Sequence, residues 1–116
     1  MGQITFYAEN GCTGELGVIT DTPGQWIDLQ DQNETGIQNQ AIRSCKFSDV
    51  RAETVLRAYE SAIGDTSLDW AQITIKKKVP TILLPTFEHS MEDEVIKLEY
   101  FERQGLDGNI SLLEID

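Results

Sequence analysis

Asn39-Gln40-Ala41-Ile42-Arg43-Ser44 has an echo 68 positions later, Asp107-Gly108-Asn109-Ile110-Ser111-Leu112. Both stretches follow a polar turn that contains glycine. Both lead into a short apolar run, Cys45-Lys46-Phe47 in one case and Leu113-Glu114-Ile115 in the other. A second pair of segments lies upstream. Ile4-Thr5-Phe6-Tyr7-Ala8-Glu9 matches Val55-Leu56-Arg57-Ala58-Tyr59-Glu60, each an alternating run that reaches Tyr and then an acidic residue. Self-similarity of this kind outranks local propensity as evidence about fold. The chain therefore reads as two divergent copies of one β unit, residues 1–50 and 51–116, packed as a single domain over 1–116.

Composition bounds what the domain does. A chain of 116 residues is long enough to bury roughly two-thirds of its unfolded surface, and an apolar fraction of 40% supplies a core. The formal net charge is −11, from 20 acidic and 9 basic residues. That argues against nucleic acid and anionic membrane surfaces as partners, because both require Lys and Arg to neutralise phosphate. No apolar run approaches the roughly 18 residues of a membrane span. The first residues show no basic stretch followed by an apolar core, so a cytoplasmic location is expected. Cys12 and Cys45 have no metal-ligand spacing. They are read as two reduced thiols or as one Cys12–Cys45 disulfide.

Periodicity in the first half gives strands over Gln3–Ala8, Glu15–Thr20, Trp26–Leu29 and Ile42–Phe47. Glu9-Asn10-Gly11 and Asp21-Thr22-Pro23-Gly24 are turns. Residues 30–40 are amide-rich and read as a loop with one helical turn at its end. The second half gives strands over Thr54–Glu60, Trp70–Lys78, Thr81–Leu84, Val95–Arg103 and Ile110–Ile115. Pro80 and Pro85 restrict the third of these to an edge or a short strand. Ser90–Glu94 reads as an acidic turn, and Lys76-Lys77-Lys78 as a solvated strand end that blunts edge pairing. Eight or nine short strands and no helix of 10 or more residues predict an all-β, two-sheet β-sandwich of two Greek-key motifs.

Tyr7-Ala8-Glu9-Asn10-Gly11-Cys12-Thr13-Gly14 resembles the first-hairpin signature of the βγ-crystallin superfamily, with Cys12 in place of its second aromatic. Residues 39–44 and 107–112 resemble that family's calcium motif of two Asn/Asp positions, two variable positions, Ser or Thr, and Ser. The similarity covers nearly the whole chain and is greatest to microbial and fungal single-domain members. The second half matches less well, since it carries about 16 extra residues, expected in Ser61–Asp69 and Val79–Glu94. The resemblance implies a pair of bipartite calcium sites, each drawing a hydroxyl and carbonyls from one motif and a further carbonyl from the other motif's hairpin. Calcium takes six to eight oxygens at about 2.3–2.6 Å, which short Asn, Asp, Ser and Thr side chains on a tight turn can offer.

The chain departs from that pattern at the ligands. In the first motif, Asn39, Gln40, Arg43 and Ser44 with Glu60 form a disabled set, because Arg43 occupies the hydroxyl position. Arginine has no acceptor and keeps its proton. At about 5 Å its charge repels a divalent ion by roughly 2 kcal/mol in bulk water, and by several times more near a protein surface. Arg43 is expected to stand in the ion's place near Glu60. In the second motif, Asp107 supplies charge and Ser111 a hydroxyl, with a carbonyl near Glu9 completing a weak, degenerate site. Gly108 and Leu112 contribute no ligand there. The alternative is that Ser111 bonds only the turn backbone.

Other chemistry is thin. His89 stands in a polar loop without a nucleophile pattern. Glu92, Asp93, Glu94, Glu99 and Glu102 read as a solvated face. No phosphate loop, metal cluster or catalytic triad is visible, so no enzyme and no cofactor beyond weak calcium are expected. Two classes remain. One is a structural or stress/storage protein, monomeric or weakly self-associating. The other is a calcium-responsive binding module, or an inhibitor or toxin, with a specific protein partner that the sequence leaves unknown.

Overall fold

Alternation of apolar side chains sets the faces of the strands. In the computed structural model, which describes residues 2–29, 37, 40–61, 68–88, 90–101, 105, 106 and 108–116, ten strands form. They are β1 (Gln3–Glu9), β2 (Thr13–Thr20), β3 (Gln25–Asp28), β4 (Ser44–Ser48), β5 (Val55–Tyr59), β6 (Trp70–Ile75), β7 (Thr81–Leu84), β8 (Met91–Glu92), β9 (Ile96–Phe101) and β10 (Leu112–Ile115). They make two antiparallel sheets, β2-β1-β4-β7 and β3-β10-β5-β6-β9-β8. No helix forms among the described residues, and none is long and apolar enough to cross a membrane. The expected all-β, two-sheet architecture is present.

The core lies between the inner faces. Ile4, Phe6, Cys45 and Phe47 of one sheet and Leu56, Ile73, Leu98 and Leu113 of the other are at most 1% exposed. Each fully buried large side chain contributes roughly 1.5–3 kcal/mol by leaving water. On β6, Ala71, Ile73 and Ile75 point inward while Trp70, Gln72 and Thr74 face out, the period of two that the sequence shows. β7, bracketed by its prolines, pairs with β4 alone and closes one edge.

Pairing crosses between the halves. β3, from the first half, joins the larger sheet beside β10, and β7, from the second, joins the smaller sheet beside β4. The registers correspond. Tyr7 faces Ser44 as Tyr59 faces Leu112, and Cys45 faces Leu84 as Leu113 faces Ile27. Tyr59 is thus placed as Tyr7 is, 52 positions on, Leu84 as Ile27, 57 on, and Leu113 as Cys45, 68 on. Five of the added residues therefore precede β7 and eleven follow it. The later group is largely the β8–β9 hairpin, which extends the larger sheet beyond β6.

Several expectations change. Ser90–Glu94 is not simply a turn, since Met91 and Glu92 pair with Leu98 and Lys97 as an edge strand. Acidic side chains are tolerated there because they face solvent, and Lys76 bonds Glu92 and the Asp93 carbonyl. The strand from Trp70 ends at Ile75, and the last strand begins at Leu112 rather than Ile110. Thr5 and Tyr7, on the outer face of β1, are buried at 6% and 8% exposure, because β1 is flanked on both sides. The helical turn expected near residue 40 and His89 fall largely or wholly outside the described residues. Ile37, inside the amide-rich stretch, is fully buried and lies where a Cβ on Gly17 would stand, 2.7 Å from Ile37 Cγ1.

Candidate functional site

The two echoed stretches meet. Gln40 N–H donates to the Ile110 carbonyl at 3.0 Å, and Gly108 N–H donates to the Ile42 carbonyl at 2.8 Å. These are corresponding atoms of the two copies, exchanged reciprocally. Each stretch is also tied to the tyrosine of its own half. Arg43 N–H donates to the Tyr7 carbonyl at 2.9 Å and Ser111 N–H to the Tyr59 carbonyl at 2.8 Å. Gln40 and Gly108, the matching positions, share the left-handed backbone region, at φ 57° and 79°. Gly108 occupies it freely. Gln40 carries the steric cost of a Cβ there.

Side chains break the symmetry. Arg43 is exposed, and its guanidinium lies over Gly108, where a Cβ would stand 3.0 Å from Nη2. It forms no ion pair among the described residues. The expected neighbour, Glu60, turns elsewhere. Its carboxylate accepts Asp69 N–H at 3.3 Å, and its own N–H donates to the Asp69 carbonyl. The reason is local, since Glu60 and Asp69 close the same hairpin. Ser111 is 2% exposed, and its hydroxyl makes no hydrogen bond among the described residues. Its carbonyl accepts Leu29 N–H at 3.0 Å, so the backbone of Ser111 is committed while its Oγ is not.

Ser44 has a different task. Its Oγ donates to the Glu9 carbonyl at 2.5 Å and accepts Cys12 N–H at 3.0 Å. This clamps the β1–β2 hairpin onto the start of β4. The Glu9 carbonyl, expected as a calcium ligand, is therefore already bonded, and the Glu9 carboxylate accepts the Thr13 hydroxyl at 2.9 Å. Cys12 sits at φ 62° and points its thiol at the Cys45 carbonyl, 3.3 Å away. Both cysteines are free thiols. Burial, and secondarily the neighbouring Cys12, holds the Cys45 thiol well above its ordinary pKa.

Asn39 and Asp107 lie outside the described residues. Among those described, no group of three or more His, Cys, Asp or Glu side chains is placed to hold a metal. Sequence reasoning missed two further features. Tyr59, Trp70 and Phe101, cross-strand neighbours on β5, β6 and β9, stack with ring centroids 5.7 and 4.3 Å apart. Burial raises the Tyr59 pKa. Arg57 bonds Gln72, Glu114 and Asp116 on the same outer face. Each group is assembled from separate strands, so no spacing in the chain announces it. Comparison of the chain with models of known protein families, with curated proteins and with solved structures finds no match.

Proposed function

We propose that the chain is a non-catalytic structural or stress/storage-type protein of the βγ-crystallin-like class, built from two Greek keys, whose paired loops bind calcium weakly or not at all. The exchange of β3 and β7 between sheets and the reciprocal Gln40–Ile110 and Gly108–Ile42 bonds support two equivalent units joined about a local twofold. One observation carries the functional half of the reading. The position that would present a hydroxyl to an ion in the first loop presents Arg43, and its guanidinium covers Gly108 of the second loop. A fixed positive charge there opposes a divalent cation at both loops at once.

A second reading, a calcium-responsive module, rests on the buried Ser111 hydroxyl, which keeps its acceptor capacity. Calorimetric titration of metal-stripped protein with calcium separates the two. The structural reading expects a dissociation constant in the millimolar range or no heat at all. It expects Arg43→Ser to tighten binding by at least about tenfold, or about 1.4 kcal/mol. Micromolar binding by the unaltered protein, with a melting midpoint that climbs with calcium, establishes the responsive module instead. If Arg43→Ser gains no affinity, the idea that Arg43 excludes the ion is wrong.

A further inference from the structure

At the opposite end of β1 from these loops, an open cleft of about 430 Å³ is walled by Gly2, Pro23, Asp21, Asp49, Arg51 and Lys78. Its walls are fixed by backbone. A Cβ on Gly2 would stand 2.5 Å from the Asp49 carbonyl oxygen and from Val50 Cα, so the chain packs there without slack. Asp49 N–H donates to the Pro80 carbonyl at 3.2 Å, which brings Asp49 on one wall close to the segment carrying Lys78. Asp21 is 4% exposed. Its N–H donates to the Gly2 carbonyl, its Oδ2 accepts Arg51 N–H at 3.0 Å, and its carbonyl accepts Arg51 Nε and Nη2 at 3.1 and 2.9 Å.

What remains is a set of unused charges. Asp21 Oδ1 has no partner among the described residues, although it belongs to a buried carboxylate, and a carboxylate oxygen left so is costly. Arg51 Nη1 donates to nothing among them, and neither Lys78 nor Asp49 forms an ion pair there. The cleft thus presents two carboxylates and two cations. A simple anion would meet both carboxylates, and a simple cation both basic groups. A net-neutral molecule with one group of each sign meets a partner for both. Asp21 Oδ1 can only accept, so the positive end must carry N–H donors, and a guanidinium matches a carboxylate.

We propose that this cleft binds a free α-amino acid. Its ammonium bonds Asp21 and Asp49, its carboxylate bonds Arg51 and Lys78, and its side chain lies along Pro23. The volume is at the small end of ligand clefts, which run from about 300 to 1,000 Å³. The test is a thermal melt, followed by calorimetry, with each common free α-amino acid at about 10 mM, since a ligand of the native state raises the midpoint. The best binder is compared with its decarboxylated amine and its deaminated acid. At least one amino acid is expected to raise the midpoint, and both single-charge analogues to bind about tenfold or more weaker.

Lys78→Met and Asp49→Asn are each expected to weaken binding about fivefold or more while leaving the ligand-free melt unchanged. Lys78 is exposed and forms no ion pair among the described residues, and Asn accepts the φ of 51° at position 49 as readily as Asp. A panel with no binder overturns the proposal. So does an analogue that binds as well as its parent, or a binder indifferent to both substitutions.

Discussion

The guanidinium of Arg43 rests on the Cα of Gly108, so that an added methyl at 108 would stand 3.0 Å from Nη2. Two costs attach to that glycine, and they are separable. One is the left-handed backbone, φ 79°, which disfavours any Cβ by about 1–2 kcal/mol. The other is contact with the end of a long side chain, which can move aside cheaply. Gly108→Ala is therefore expected to lower stability by about 1–2 kcal/mol in denaturant melts. Adding Arg43→Ala should recover only a minor part of the loss.

Gln40 is the same position in the other copy, and it makes the opposite prediction. It holds φ 57° with a full side chain. Gln40→Gly removes the steric cost and gains freedom in the unfolded chain, and the first effect is larger in this region. An increase of up to about 1 kcal/mol is expected from chemical denaturation. A decrease would mean that the Gln40 side chain makes a contact worth more than its backbone costs.

Ser44→Ala leaves the Glu9 carbonyl and Cys12 N–H without their shared partner. Unsatisfied groups in a part-buried setting cost about 1–3 kcal/mol. The loss should be local first. Amide exchange is expected to accelerate at Cys12 and its neighbours in the β1–β2 hairpin before it does in β5 or β6.

Acid and alkali act on different groups. Hydrogen bonds from Val95 and Ile96 N–H hold the Asp93 carboxyl below its ordinary pKa, and Lys76 does the same for Glu92. A depressed native pKa means that the unfolded chain takes up protons first. The stabilisation is therefore complete at neutral pH and lost as pH falls below about 4. Asp93→Asn should flatten the acid limb of a stability–pH curve.

Cys45 and Tyr59 have raised pKa values, caused first by burial. Their contribution is intact below the unfolded pKa and is lost as pH rises from about 8.5 for the thiol and about 10 for the phenol. Cys45→Ala is expected to lower stability at pH 7 by about 1 kcal/mol, for one small group removed from the core. It should also delay the alkaline decline until the range of Tyr59.

Periodicity made the strand faces legible. Ile73 and Ile75 against Thr74, or Thr81–Leu84 between two prolines, carry their assignment in a few adjacent residues. The echo of 39–44 in 107–112 likewise identified two stretches that the fold brings into contact. Partner choice was not legible, because nothing local to Trp26-Ile27 says that it pairs with Leu113 and Glu114. Ile37 was missed because one apolar residue among amides has no period. β8 was missed because two residues held by their neighbour's ladder need no propensity of their own. At the candidate site, Gly108 announces its backbone and Gln40 does not. Arg43 was legible as a misfit, but its resting place over Gly108 rather than beside Glu60 depends on how the Glu60–Asp69 hairpin closes. Asp21 and Arg51 are 30 positions apart, and no motif links them.

β10, the last strand, stands between β3 and β5 and bonds both. During synthesis, then, residues 25–28 have nowhere to pair in that sheet until residues 112–115 have been made. Until then the larger sheet stays open at that position, and loss of residues 112–115 would split it at an interior seam rather than trim its border.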